Sequence, residues 1–215
     1  MSSLANRTVL FDLDGTIADT IPLIVATYQR TVRTVLGWEP TFEQCKQWIG
    51  RSLRETCIGL APERVDELMQ SYLEWNLANH RDYVRPFPGV GEVLDDLAGA
   101  GRTYGVATSK RYHSAVLSLE CAGLTGRIPL LATEENTTTH KPSPEPLLFA
   151  LARAGVEPAD AVYVGDAVVD MQAAKAAGMA SIAVTWGVAE AGELAAERPT
   201  EIVDSVDELR DLLGL

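Results

Sequence analysis

The chain has 215 residues, 47% hydrophobic and 22% charged, the balance of an ordinary soluble globule with room for one α/β domain and a modest insertion. A net charge of −12 argues against nucleic acid or an anionic membrane as partner, since both need a basic face, and no apolar run is long enough to span a bilayer. Cys45, Cys57 and Cys121 are scattered, with neither disulfide-framework nor zinc spacing, which predicts reduced thiols in a cytoplasmic protein. Residues 1–6 are short and polar and do not resemble a signal peptide.

The first predicted strand, residues 9–12, climbs through apolar positions to Asp12-Leu13-Asp14 and is broken by Gly15-Thr16. Side chains two apart on a strand point the same way, so both carboxylates are expected at its C-terminal tip. Two anions that close repel unless one is protonated or a cation lies between them, and an all-oxygen site suits Mg²⁺.

Residues 20–85 read as helices only. The first opens near Pro22 and stops at Gly37; Thr41 with Gln44, and Ser52 with Glu55, have capping-box spacing; the fourth runs over about 62–80 with Val65, Leu68, Met69, Tyr72 and Trp75 on one packing stripe. This predicts a four-helix cap over 19–86, returning through Pro86-Phe87-Pro88-Gly89 to a core made of 1–18 and 87–215. Arg51, in the turn Gly50-Arg51, is a candidate substrate contact from the cap.

Beyond the cap, strands are predicted over 104–108 and 162–166, with weaker ones over 128–131, 181–185 and 201–203, each separated by helical stretches. Alternation of this kind implies a doubly wound, mostly parallel, Rossmann-like α/β sheet whose ligand crevice lies beyond the carboxyl ends of the strands. Those ends carry Thr108-Ser109-Lys110 and Gly165-Asp166, with Asp170 in the first turns of the helix after. Lys141 lies in the proline-stiffened loop His140-Lys141-Pro142-Ser143-Pro144-Glu145-Pro146. His80, His113 and His140 share no metal spacing.

Transfer of a phosphoryl group needs an in-line nucleophile, a cation and a proton for the leaving group. Asp12 fits the nucleophile, forming an aspartyl-phosphate, and Asp14 fits the acid and then the base. Thr108, Ser109, Gly15 and Lys141 are the expected phosphate contacts, Lys141 also offsetting repulsion between Asp12 and an incoming anion. Asp12, Asp14, Asp166 and Asp170 are the expected metal set.

Together these motifs resemble the haloacid dehalogenase superfamily over nearly the whole chain. Asp12-Leu13-Asp14-Gly15-Thr16 is similar to its first motif, Thr108 to the second, Lys141 in Lys141-Pro142-Ser143-Pro144-Glu145 to the third, and Gly165-Asp166 with Asp170 to the fourth. The helical insertion is similar to the cap of phosphoglycolate phosphatase-like and β-phosphoglucomutase-like members. The resemblance implies a Mg²⁺-dependent hydrolase of a small phosphorylated metabolite. A phosphosugar mutase on the same site is the alternative, and a receiver-type signalling domain a second. The family's dehalogenases lack an acid at the position of Asp14, and Lys46, the only lysine in the cap, does not match a Schiff-base position. Ala167 stands where a hydroxyl residue is common, and residues 133–139 lack an expected Gly-Asp. A monomer or homodimer is expected.

Overall fold

The structure is a computed structural model and describes residues 4–5 and 7–215. The reading of residues 1–6 as a plain polar start therefore falls mostly outside the described residues. Six strands, β1 (Thr8–Phe11), β4 (Tyr104–Ala107), β5 (Leu130–Ala132), β6 (Ala161–Gly165), β7 (Ala180–Val184) and β8 (Glu201–Val203), form one sheet. Their order is β5-β4-β1-β6-β7-β8, and every neighbouring pair is parallel. The chain steps outward from β1 to β4 and β5, then returns to the other side of β1 for β6, β7 and β8. That reversal opens the crevice at the carboxyl ends of β1, β4 and β6.

Alternation along each strand assigns side chains to the two faces. Val9, Phe11, Val106, Val162, Val164 and Ile182 pack on one side against α5 (Val90–Gly99), α6 (Tyr112–Cys121) and α10 (Val206–Leu213). Leu10, Ala107, Ala161 and Tyr163 face α7 (Glu145–Ala154) and α8 (Val168–Ala177) on the other. Burial on both faces explains why β1 and β6 read as apolar runs rather than as alternating strands.

The segment expected to be helical is so. A short antiparallel ribbon of β2 (Ala18–Asp19) and β3 (Arg85–Pro86) brackets α1 (Ile21–Leu36), α2 (Phe42–Lys46), α3 (Leu53–Leu60) and α4 (Val65–Tyr83). Gly37 ends α1 at φ 80°, donating its N–H to the Arg33 carbonyl, as the glycine predicts. Thr41 and Gln44 make both halves of their capping box. Ser52 does not: its hydroxyl donates to Glu134 Oε1 at 2.5 Å instead, so the expected box gives way to a link between the insertion and the loop after β5. Leu68 of α4 is fully buried among the insertion's own apolar residues, with Met69 and Tyr72 packed beside it, while Trp75 packs toward the sheet. Cys45 and Cys57 are buried free thiols.

A buried polar pair joins α4 to the core, beside the exposed ion pair of Arg81 and Glu120. His80 is buried, its Nδ1 donating to the Asn76 carbonyl at 3.3 Å and its Nε2 accepting from Ser118 Oγ at 2.8 Å, the neutral tautomer that satisfies both. Burial, with the Lys110 charge second, lowers its pKa from 6.5 to about 4. The unfolded chain then binds the proton first, so His80's contribution is complete above pH 6.5 and is lost as the pH falls through about 4. Urea midpoints measured across this window should fall more steeply for the native chain than for His80→Gln; equal slopes would contradict this assignment.

Candidate active site

The crevice gathers residues from four strand-end loops. Asp12 follows β1 directly and is 2% exposed. Its neighbours Asp166, after β6, and Asp170, in the first turn of α8, are also buried, and one carboxylate oxygen from each lies within 4.8 Å of the other two. Lys141, from the loop before α7, is fully buried against this cluster. Its Nζ is 2.6 Å from Asp170 Oδ1, 3.0 Å from Asp12 Oδ1 and 3.1 Å from the Tyr163 hydroxyl. Tyr163 in turn donates to the Ala107 carbonyl at 2.7 Å, locking the ammonium in place. The Asp12 contact is an ion pair without hydrogen-bond alignment, which leaves Asp12 Oδ1 buried with no donor.

Burial raises the Asp12 carboxyl to about 6; the Lys141 ammonium opposes this, while Asp170 and Asp14 add to it. Burial, then Asp170 and Asp12, push Asp166 well above the usual carboxylate range. Burial alone would lower Lys141, but Asp12 and Asp170 outweigh it and hold the ammonium charged. With all three carboxylates ionised, the single ammonium would leave two negative charges, the charge of one divalent cation; without such an ion the raised Asp12 and Asp166 carboxyls relieve the repulsion by holding protons.

Asp166 is held by donors on both oxygens: Thr16 Oγ1 to Oδ1 at 2.7 Å and the Val188 N–H to Oδ2 at 2.8 Å. Close approach explains Gly15. Its φ of 81° makes the turn, and a Cβ there would collide with the Asp166 carboxylate. Its N–H donates to the Ala18 carbonyl, and its missing side chain clears space for Asp166, a role the expected phosphate contact did not foresee. Asp170 Oδ2 accepts from the Ala167 N–H at 3.0 Å, half a capping box that Ala167 has no side chain to complete.

Asp14 is also placed differently from the expected metal set. Its Oδ1 accepts from Thr20 Oγ1 at 2.6 Å and pairs with Lys110 Nζ at 2.7 Å, turning it away from the carboxylate cluster and onto the cleft. The reason is local: the turn after β1 takes Asp14 off the strand, so the two-residue spacing no longer aligns it with Asp12. The cleft is floored by Asp12, Asp14, Thr108, Ser109 and Lys110. Ser109 Oγ is buried without a partner there, and Thr108 Oγ1 accepts only the Lys110 N–H. Arg51 lines the cleft from the insertion, is exposed and makes no ion pair among the described residues. Lys46 pairs with Glu190 at 3.1 Å, away from this cleft.

The family model of haloacid dehalogenase-like hydrolases matches residues 9–184, which span Asp12, Asp14, Arg51, Thr108, Lys141, Asp166 and Asp170. The chain belongs to that family. This haloacid dehalogenase-like hydrolase is 33% identical over 207 residues to a pyrophosphatase, PpaX, of Bacillus velezensis, covering 96% of this chain and 96% of that protein. It is 39% identical over 186 residues to a phosphoglycolate phosphatase of Xylella fastidiosa, covering 84% and 81%. The crystal structure of a hydrolase from Pseudomonas syringae superposes with a TM-score of 0.89 over 97% of this chain and 98% of that one; at 21% identity it shows the shared fold. The expected phosphatase-like resemblance and the expected α/β fold are met, and the chain is an enzyme rather than a receiver domain.

In this haloacid dehalogenase-like hydrolase Tyr163, Lys110 and Thr16 also hold the site's charged groups, and none of the three stands out in the sequence. Tyr163 looked like one more apolar strand residue; its only signal is a phenol in a strand buried on both faces, where a hydroxyl needs a partner. Lys110 was read only as the tail of a strand-end trio. Thr16 was read only as a strand breaker.

Proposed function

We propose that the protein is a Mg²⁺-dependent phosphatase of a small phosphorylated metabolite, acting through an aspartyl-phosphate on Asp12. The observation that carries this is the buried cluster of three carboxylates served by one ammonium, beside an Asp12 oxygen with no donor. The donor set fits the ion: all oxygen, with no histidine or cysteine joining it among the described residues. Asp12, Asp166 and Asp170 would hold it. When bound, Mg²⁺ neutralises phosphoryl oxygens and lets Asp12 stay ionised near an anion.

Asp12 attacks phosphorus, and the bond to the leaving oxygen breaks. Asp14, on the cleft wall, gives that oxygen its proton. Asp14 then takes a proton from water as the water attacks the acyl phosphate, returning Asp12 and releasing inorganic phosphate. Lys141 holds Asp12 in place and offsets its charge. Thr108 and Ser109 offer hydroxyls to the phosphoryl oxygens. Residues 19–86 act as a cap over the core of 1–18 and 87–215, and excluding water under the cap strengthens each of these contacts. Phosphoglycolate and pyrophosphate, named for the relatives, are the first substrates to try. The free buried thiols favour a cytoplasmic setting, and the net charge of −12 gives no footing for nucleic acid or membrane.

A screen of phosphorylated metabolites for phosphate release tests the activity. Release is expected with Mg²⁺, lost with EDTA and restored by excess Mg²⁺. In parallel, Mg²⁺ alone should raise the melting temperature, because it binds the folded cluster and not the unfolded chain. Turnover in EDTA, or a melt indifferent to Mg²⁺, would count against the reading. Release without any added sugar bisphosphate separates a phosphatase from a phosphosugar mutase.

A further inference from the structure

The cleft beyond the phosphoryl site has two unlike features. Its wall on the helical insertion is apolar and aromatic: Tyr28 stands with Trp48 at 5.1 Å between ring centroids and with Tyr72 at 4.8 Å, and Leu53 and Leu73 continue the surface. The same cleft is lined by one further carboxylate, Glu134, which joins that wall through Ser52. Its side chain is 11% exposed, and it accepts one hydrogen bond, from Ser52. Arg111 approaches it only to 3.7 Å and is shared with Glu135. Glu134 thus keeps lone pairs open to a ligand.

Two of the three cations that line the cleft are already paired and offer no site for a second anion. Lys110 is committed to Asp14 and Arg111 to the Glu134–Glu135 pair, leaving only exposed Arg51 at the mouth. A second phosphate or a carboxylate on the substrate would meet Glu134, a hydrocarbon wall and a protein of charge −12. Pockets lined mainly by aromatic and aliphatic groups, with one or two placed polar atoms, suit organic bodies that carry matching donors.

Resting on the phosphatase reading, we propose that the preferred substrate is a phosphate monoester whose leaving group carries an aromatic or branched apolar body and a hydrogen-bond donor for Glu134, with no second anionic group. The apolar body packs on Tyr72 and its neighbours; an amine or hydroxyl reaches Glu134.

Five probes separate these features with Mg²⁺ present: phenylalaninol phosphate (ring and amine), phenethyl phosphate (ring only), phosphoethanolamine (amine only), phosphoglycolate and pyrophosphate. Phenylalaninol phosphate should exceed both anionic probes in kcat/KM by about tenfold or more, the scale of one recognised group. Glu134→Gln, whose amide still accepts from Ser52, should cut the preference for phenylalaninol phosphate over phenethyl phosphate by about tenfold, chiefly through KM. Tyr72→Leu should weaken both ring esters relative to phosphoethanolamine. Preference for phosphoglycolate or pyrophosphate, or equal losses on every probe in Glu134→Gln, would overturn the substrate class while leaving the phosphatase standing. Phosphate release that survives Asp12→Asn, or none from any probe, would sink the phosphatase reading beneath it.

Discussion

Asp12→Asn is expected to lower kcat by a factor on the order of 10⁴ or more, the scale seen when a covalent nucleophile is removed. The amide has nearly the same volume, so the packing around Asp12 at 2% exposure should survive. The change also carries a thermodynamic signature that a mere loss of folding would not. Burial raises the Asp12 carboxyl from 3.8 to about 6, so the folded chain binds this proton more readily than the unfolded one. In the metal-free protein its contribution is therefore greatest at low pH and is lost as the pH rises from 3.8 through about 6. Denaturant melts in EDTA should show that decline shrinking in Asp12→Asn. Retained turnover, or an unchanged pH slope, would contradict the assignment of Asp12.

Lys141→Met should be the more damaging change to the fold. The methionine fills the space, but three buried carboxylates lose their only ammonium, and Tyr163 loses the donor to its hydroxyl. Removing one partner of a buried ion pair costs about 3–5 kcal/mol because the other charge is left uncompensated. The melting temperature in EDTA should fall accordingly. Mg²⁺ should recover more stability in this variant than in the native chain, since it would then be the only cation in the cluster. Equal Mg²⁺ stabilisation of the two proteins would show that the ion binds elsewhere. Activity should fall steeply even with Mg²⁺, because the ammonium also orients Asp12.

Much of this was legible without coordinates. Strand ends could be read because apolar runs that are buried on both faces stop abruptly at Asp12, Thr108 and Asp166, and because parallel sheets place ligand chemistry there. Lys141 was legible because three prolines made its loop rigid. What escaped were contacts set by turns rather than by periodicity. The turn after β1 rotates the Asp14 carboxylate away from Asp12, so counting residues along a strand did not foresee its pairing with Thr20 and Lys110. Gly15 was read for what its backbone could bind, whereas its missing side chain is what matters, since Asp166 needs that volume. Ser52 has the local spacing of a helix cap, and a carboxylate more than eighty residues away in sequence outcompetes it. Tyr163 shows the same limit, as a hydroxyl inside an apolar strand finds its partner only in three dimensions.

The ribbon of β2 and β3 has a further consequence. Ala18 and Pro86 are register partners, so the chain leaves for the helices and comes back at one point. Cutting out everything between them would leave two ends already adjacent, close enough for a tight hairpin to splice. The helical insertion can therefore be exchanged as a cassette, by recombination or by design, with the strand order of the sheet kept, provided that the replacement also covers the surfaces Trp75, His80 and Ser52 occupy on the core.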